Sequence, residues 1–270
     1  MAVILSSSRF EWPYSRPANL SQAASFWCYC TVSGTTQMPL TWASPSLGAI
    51  VGFWFGHPTL GPLNWLLSTS NTGGNISSST QAQNLGRWVH VFGVWQWDEA
   101  ASATDMAVYL DGNFAGRGVA DNKANIPSAL SNFNVGGLNR SGTDFPLLAG
   151  LMGEIAVWEG FTGFSALDLA RLAAGVAPWR IHTPELTRYI PARGSLNCEI
   201  NGAPTATSGA TIILSSADPP MVSEARARPD RLRGSGPFLF RRRFWPAVPS
   251  APAVGNVPAA YHHRQLQGMA

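Results

Sequence analysis

Gly86-Arg87-Trp88-Val89-His90-Val91-Phe92-Gly93-Val94-Trp95-Gln96-Trp97 opens the run of sequence that decides the fold. Apolar residues occupy both alternating sets of positions, the mark of a strand buried on two faces inside a sandwich. Asp105-Met106-Ala107-Val108-Tyr109-Leu110 follows and ends in Asp111-Gly112, a pair that tolerates the positive φ of a type I′ turn, so a hairpin is predicted. Phe133-Asn134-Val135-Gly136-Gly137 and Gly150-Leu151-Met152-Gly153-Glu154-Ile155-Ala156-Val157-Trp158 read as further strands. The run closes on one short helix. Ser165 caps it, Asp168 completes a capping-box-like pair, and Phe164 is placed to staple onto Leu169. Gly175 takes the C′ position and Pro178 bars resumption. Leu169, Leu172 and Ala173 share one side, so the helix is expected to lie against a sheet.

Outward from this run, strands are predicted at Ala24–Val32, Ala49–Phe55, Asn64–Thr69, Ile76–Thr80, Phe114–Gly118, Leu186–Ile190 and Thr211–Leu214. A turn at Ser33-Gly34 leads into a polar, proline-containing loop reaching to about Leu47. Gly56–Pro62 reads as a connection. Only 12% of the 270 residues are charged, while 27 Gly, 20 Pro and 11 Trp suit short strands joined by many turns rather than a helical protein. The fold class is therefore all-β, a two-sheet antiparallel sandwich with one short helix. No apolar stretch approaches the roughly 20 residues that span a bilayer, and Met1-Ala2-Val3-Ile4-Leu5-Ser6 lacks the charge and length of a secretory signal. Synthesis and assembly in a cytoplasm are expected.

Cys28 and Cys30 stand two apart on a strand and so point the same way, with Cys198 far off in sequence. Neither a disulfide scaffold nor a metal site is expected of them, because the histidines are scattered except for His262-His263. Buried thiols are the expectation.

Charge divides the chain. Residues 1–223 hold 10 basic and 13 acidic side chains, net −3, whereas 224–270 hold 8 arginines and 2 acids, net +6. Lys123 is the sole lysine, so the cations are suited to planar, multi-donor contacts. Two parts are thus predicted, a sandwich over 1–223 and an extended Arg/Pro-rich arm over 224–270. Within the arm Phe238, Phe240, Arg241, Arg242, Arg243, Phe244 and Trp245 form an aromatic and basic block followed by a Pro-Ala segment. Arginine among aromatics fits phosphates and bases, yet the sandwich is slightly acidic and offers no continuing face for a nucleic acid. A docking arm that inserts between neighbouring subunits fits better.

The strand, hairpin, strand and helix run resembles the laminin G-like, concanavalin A-like jelly-roll family in its bacterial and phage form. The resemblance rests on Gly86–Val94, on Val108-Tyr109-Leu110-Asp111-Gly112-Asn113, on Phe133–Gly137, and on Gly150–Trp158 with the helix at Ser165–Gly175. With weaker matches on either side it covers about residues 20–220. It implies two packed antiparallel sheets but no single activity. Hydrolases related in fold carry close-set carboxylates on one strand. Here Glu154 and Glu159 lie five apart, an odd offset that puts them on opposite faces of a regular strand, so no catalytic residue and no enzyme activity is expected.

Some family members hold calcium at the rim. Asp98, Asp105, Asp111, Asp121, Asn139 and Asp144 are the candidates, but none builds a dense oxygen-rich loop, and no cofactor is assigned beyond this weak calcium option. Trp54, Trp65, Trp88, Trp95, Trp97 and Trp158 lie on strand-like segments and are expected chiefly in the core, so no tryptophan is singled out as a sugar platform. The resemblance and the arm together imply a non-enzymatic bacteriophage virion subunit, a head decoration, head fibre or tail-associated protein. Its expected partners are capsid or tail proteins, further copies of itself and a surface glycan, with no membrane. The alternative is a carbohydrate-binding lectin module.

Overall fold

The computed structural model describes residues 2–6, 8–15, 21–32, 36–43, 50–57, 61–70, 76–78, 83, 85–98, 103–120, 130–140, 143–145, 148–192, 199–200, 202, 204, 206–209, 213–215 and 219–221. The arm residues Phe238, Phe240, Arg241, Arg242, Arg243, Phe244 and Trp245 lie outside the described residues, as does Cys198. In chain order the strands are β1 (Ala2–Ser6), β2 (Ser8–Pro13), β3 (Gln22–Cys30), β4 (Gln37–Ala43), β5 (Ile50–His57), β6 (Gly61–Ser70), β7 (Ile76–Ser78), β8 (Trp88–Asp98) and β9 (Ala103–Leu110). They continue as β10 (Asn113–Ala120), β11 (Asn132–Val135), β12 (Leu138–Arg140), β13 (Thr143–Phe145), β14 (Ala149–Glu159), β15 (Leu186–Ile190), β16 (Ala206–Gly209) and β17 (Ile213–Ser215). The helix α1 spans Ala166–Ala173. No described helix is long and apolar enough to cross a membrane.

Two antiparallel sheets face each other across one apolar layer, the sandwich that the alternating patterns predict. The first runs β10-β9-β8-β3-β14-β1-β17, and the second β16-β2-β11-β4-β5-β6-β7. Strand β14 shares one edge between two partners. Its start pairs with β1 through Ala149–Met152, and its end pairs with β15 through Ile155–Trp158. The interruption falls at Gly153 and Glu154, where β14 also slips register against β3 and Glu154 takes a φ of 52°.

Alternation assigns the faces. Phe26 and Cys28 of β3, Val91 and Trp95 of β8, and Met152, Ile155 and Val157 of β14 meet Leu40 and Trp42 of β4, Phe53 of β5 and Phe133 of β11 in the inter-sheet layer. Rings carry much of this contact: Trp42 meets Trp95 at 4.9 Å and Phe26 meets Phe53 at 5.0 Å, both nearly edge to face. Trp65, Trp95 and Trp158 are buried as expected, whereas Trp54 and Trp88 are half-buried.

The loop predicted to reach Leu47 is corrected. Residues 37–43 form β4, a wholly buried strand in the middle of the second sheet. Pro39 argues against a central strand because it has no N–H to donate. Its place is a register slip between Gln37 and Leu40, where β4 and β5 do not pair regularly, so no ladder bond is lost. Strands β1, β2 and β16 also went unmarked in the sequence, since each is short and gains its order from distant partners, and so did β12 and β13, a hairpin of three-residue strands that pair with each other.

Trp42 is fully buried, and among the described residues its indole N–H has no acceptor. Its contribution is therefore packing alone. Trp42→Ala is expected to lose about 3–5 kcal/mol in chemical denaturation, while Trp42→Phe loses much less, because the deleted donor had no partner to forfeit.

Candidate functional site

The outer face of the first sheet is also apolar, through Ala23, Phe92, Ala156, Trp158 and Tyr189, and α1 covers it with Leu169 and Leu172. The predicted caps form. Ser165 Oγ accepts from the Asp168 amide at 3.2 Å, and Asp168 Oδ2 accepts from the Ser165 amide at 3.0 Å. Desolvation pushes the Asp168 carboxyl up, but the Ser165 hydroxyl and amide and nearby His182 outweigh it and hold it below its ordinary value. At the other end Gly175, with φ of 86°, donates to the Leu172 carbonyl while Val176 donates to Arg171, the pair of bonds that closes a Schellman motif. A side chain on Gly175 would also strike the Pro220 carbonyl oxygen at 2.1 Å, so the chain at Pro219–Met221 passes the helix end closely.

Beyond the helix the same face opens into a groove of about 430 Å³ over β8, β9 and β10. Val94 and Gln96 line it from β8, Ala107 and Tyr109 from β9, Phe114 and Arg117 from β10, and Thr162 from the loop before α1. The hairpin turn at Asp111-Gly112, with φ of 50° and 80°, pairs Tyr109 with Phe114 across the two strands. Their rings stand 5.7 Å apart at 74°. Phe114 is 57% exposed and is the only aromatic among the exposed large hydrophobic side chains described. Tyr109 is backed by Phe92 at 5.8 Å, which meets Phe164 at 4.8 Å, so the platform is anchored to the helix packing. An exposed ring, a second ring edge-on to it, an amide and a guanidinium in one open groove match the recognition of a polar ring compound that has an apolar face.

Asp111 is a turn former, as expected. Its Oδ1 accepts from the His90 amide and its Oδ2 from Arg87, both at 2.9 Å. The side chains of the other calcium candidates lie outside the description, and among the described residues no group of three or more metal-ligating side chains gathers. Cys28 and Cys30 sit in the inter-sheet core with their sulfurs 3.4 Å apart, and burial pushes the Cys28 thiol well up. Glu154 and Glu159 do face opposite ways. The Tyr189 hydroxyl donates to Glu154 Oε2 at 2.5 Å on the helix side. Glu159 faces Arg188, which stacks over Tyr14 and Phe133 between the sheets, and burial pushes its carboxyl up against the pull of that arginine.

Ser25 and His90 form a pair that sequence reasoning did not single out, with Oγ and Nε2 2.8 Å apart. Both are 1% exposed, so the serine hydroxyl has no path to a substrate. The groove was missed as well. Its signal lay in the turn: a two-residue loop at Asp111-Gly112 obliges Tyr109 and Phe114 to be neighbours on one face.

The model of a family described as the concanavalin A-like lectin/glucanases superfamily matches residues 8–161. No curated protein matches the chain. Among solved structures, a Bacteroides ovatus protein described as a "putative carbohydrate binding protein" superposes with a TM-score of 0.56 at 15% identity, over 80% of this chain and 60% of that one. Domain 4 of an extracellular arabinanase from Geobacillus stearothermophilus, solved with arabinotriose, gives 0.49 at 17% identity over 64% and 76% of the two chains. A heptameric pentraxin from Limulus polyphemus gives 0.47 at 16% over 64% and 81%. At these identities the likeness is one of fold.

His90 is neutral in the folded chain. Burial pulls its imidazole from an ordinary 6.5 down to about 4, against a weaker upward pull from Asp111. The unfolded chain therefore binds a proton that the folded one refuses between these two values, and stability falls as pH drops through that window. The loss relative to His90→Gln is expected to reach about 3 kcal/mol at acid pH, measured by urea denaturation of both proteins from pH 7 down to pH 4; parallel curves would contradict it.

Proposed function

We propose that this chain, which belongs to the concanavalin A-like lectin/glucanase superfamily, is a carbohydrate-binding module whose sugar site is the groove over β8, β9 and β10. The observation that carries this reading is the Phe114 ring, exposed beside half-buried Val94, Ala107 and Tyr109 on the outer sheet face and braced by Tyr109. A pyranose presents one face of C–H bonds that packs on such a ring, and its hydroxyls need donors and acceptors of the kind Gln96 and Thr162 supply at the groove's sides. The fold shared with the Bacteroides ovatus protein is consistent with this role. The fold alone would also suit a glucanase, but Glu154 and Glu159 face opposite ways, so these two do not flank one glycosidic bond.

A second reading concerns where such a module is displayed. Pro219 packs 3.2 Å from the position a Gly153 side chain would take, and Pro220 crowds Gly175. The described chain at Pro219–Met221 thus lies against the sandwich. In this reading the sandwich is a body displayed by an anchoring segment at 224–270, as a homo-oligomeric subunit of a bacteriophage head or tail would be, and the support for it is the charge division of the sequence, net +6 over 224–270 against net −3 over 1–223.

A glycan array probed with the full chain is expected to give a defined set of ligands, and Phe114→Ala is expected to weaken them about tenfold or more while shifting stability by no more than about 0.5 kcal/mol. An array without ligands would sink the lectin reading. For the second reading, a chain lacking residues 224–270 is expected to fold and to keep its glycan binding but fail to join particles; normal incorporation would refute the anchor.

A further inference from the structure

We infer that the groove holds at least two consecutive units of an unbranched glycan, the first on the Phe114 ring and the next over Val94 and Ala107 towards Gln96. The inference rests on the lectin reading above and narrows its ligands from single sugars to chains lying along the strands. Register sets the length. Phe114 pairs with Tyr109 and Tyr109 with Phe92, so both rings stand level with Phe92 on β8. Val94 pairs with Ala107 one step further along the same face, and Gln96 lies a further step on. Four residues separate Phe92 from Gln96, about 13 Å at the rise of an extended strand. Strand side chains stand roughly perpendicular to their sheet, so a single pyranose on the Phe114 ring falls short of the Gln96 amide.

The wall that β10 supplies runs the same way. From the pair Tyr109–Phe114, strict alternation would place Arg117 opposite Met106 and turn it into the inter-sheet core. The register slips between Phe114 and Gly116 instead, so Ala115 is the extra residue, buried in the core, and Arg117 stands opposite Ala107 on the outer face. One bulge thus carries the wall from the level of the rings to the level of Val94 and Ala107, whose small side chains leave a floor between Tyr109 and Gln96. The facing wall is braced separately. Thr162 lies in a loop where the Phe164 amide donates to its carbonyl at 2.9 Å, and Phe161 and Phe164, which flank it, pack on the His182 ring at 4.2 and 5.0 Å. Towards the hairpin tip the face is covered, since a Cβ added to Gly112 would lie 3.1 Å from Ala173 of α1. A chain that stacks on Phe114 and stays within the groove therefore runs along β8, over an apolar floor with the Thr162 hydroxyl and the Gln96 amide beside it. Two contact points held apart by the fold favour one ligand that meets both, because binding of the second unit is intramolecular once the first is seated.

The test uses the full chain in calorimetric titrations with linear cello-, xylo-, manno- and galacto-oligosaccharides from monosaccharide to hexasaccharide, and with any further array ligand trimmed unit by unit. Within a series that binds, affinity is expected to rise about tenfold or more from the monosaccharide to the di- or trisaccharide and then to level off. Ala107→Phe, which fills the floor at the second level, is expected to remove that rise while leaving the monosaccharide's affinity in place. Gln96 is exposed, so Gln96→Ala keeps the fold and is expected to reduce the rise about threefold or more. Phe114→Ala is expected to weaken every length. Equal affinity at every length, or a rise untouched by both Gln96→Ala and Ala107→Phe, would overturn the inference and leave the lectin reading standing. Binding insensitive to Phe114→Ala, or absent from all the probes and from the glycan array alike, would overturn both.

Discussion

Phe164 stands edge-on to Phe92 at 4.8 Å and to Trp158 at 5.0 Å, and this three-ring contact ties the helix to the outer face of the first sheet. Much else depends on it. Phe92 and Trp158 belong to β8 and β14, the strands on either side of β3, so a ring between them spans the centre of the sheet. With the second sheet on one side and the helix on the other, these strands are apolar on both faces and carry almost no solvent-facing set. The helix has only eight residues and is too short to persist alone. Its capping box, its Schellman end and the Phe164 contact hold it in place together.

The same contact reaches the candidate site. From Phe164 the rings continue through Phe92 and Tyr109 to Phe114, each pair within 5.8 Å. Phe114 is thus an exposed ring backed by half-buried Tyr109 and, behind it, buried Phe92. A platform of this kind loses little side-chain freedom when a ligand stacks on it, which favours affinity from a small contact area. The tip of its hairpin is held as well, because Gly112 lies so close to α1 that an added Cβ would sit 3.1 Å from Ala173.

Local chemistry was legible in the sequence where it is self-contained. Asp111-Gly112 forms its turn and Ser165 and Asp168 cap the helix, because each depends on propensities and near neighbours. Cys28 and Cys30 share the core side for the same reason, a period of two. What escaped depends on register. Pro39 reads as a loop residue until its slip against β5 is known, and the short strand at Ala2–Ser6 has meaning only beside β14 and β17. Tyr109 and Phe114 were within reach through the turn, but Arg117 was not: without the bulge at Ala115 it belongs to the wrong face.

That dependence on a bulge bears on how the site relates to the fold. Among the described strands β10 ends the first sheet and pairs with β9 alone, so an extra residue there bends one strand without disturbing the β3, β8 and β14 centre. Ala115 keeps the core filled where the slip occurs, and the neighbouring polar side chain is released outward. Residues on such an edge are free to differ between sandwiches that share this architecture, since exchanging Arg117 or Phe114 removes nothing from the inter-sheet layer. The residues of the inter-sheet core and those of the groove are consequently separate sets. The core holds the rings still, and the bulged edge decides how far the wall beside them extends.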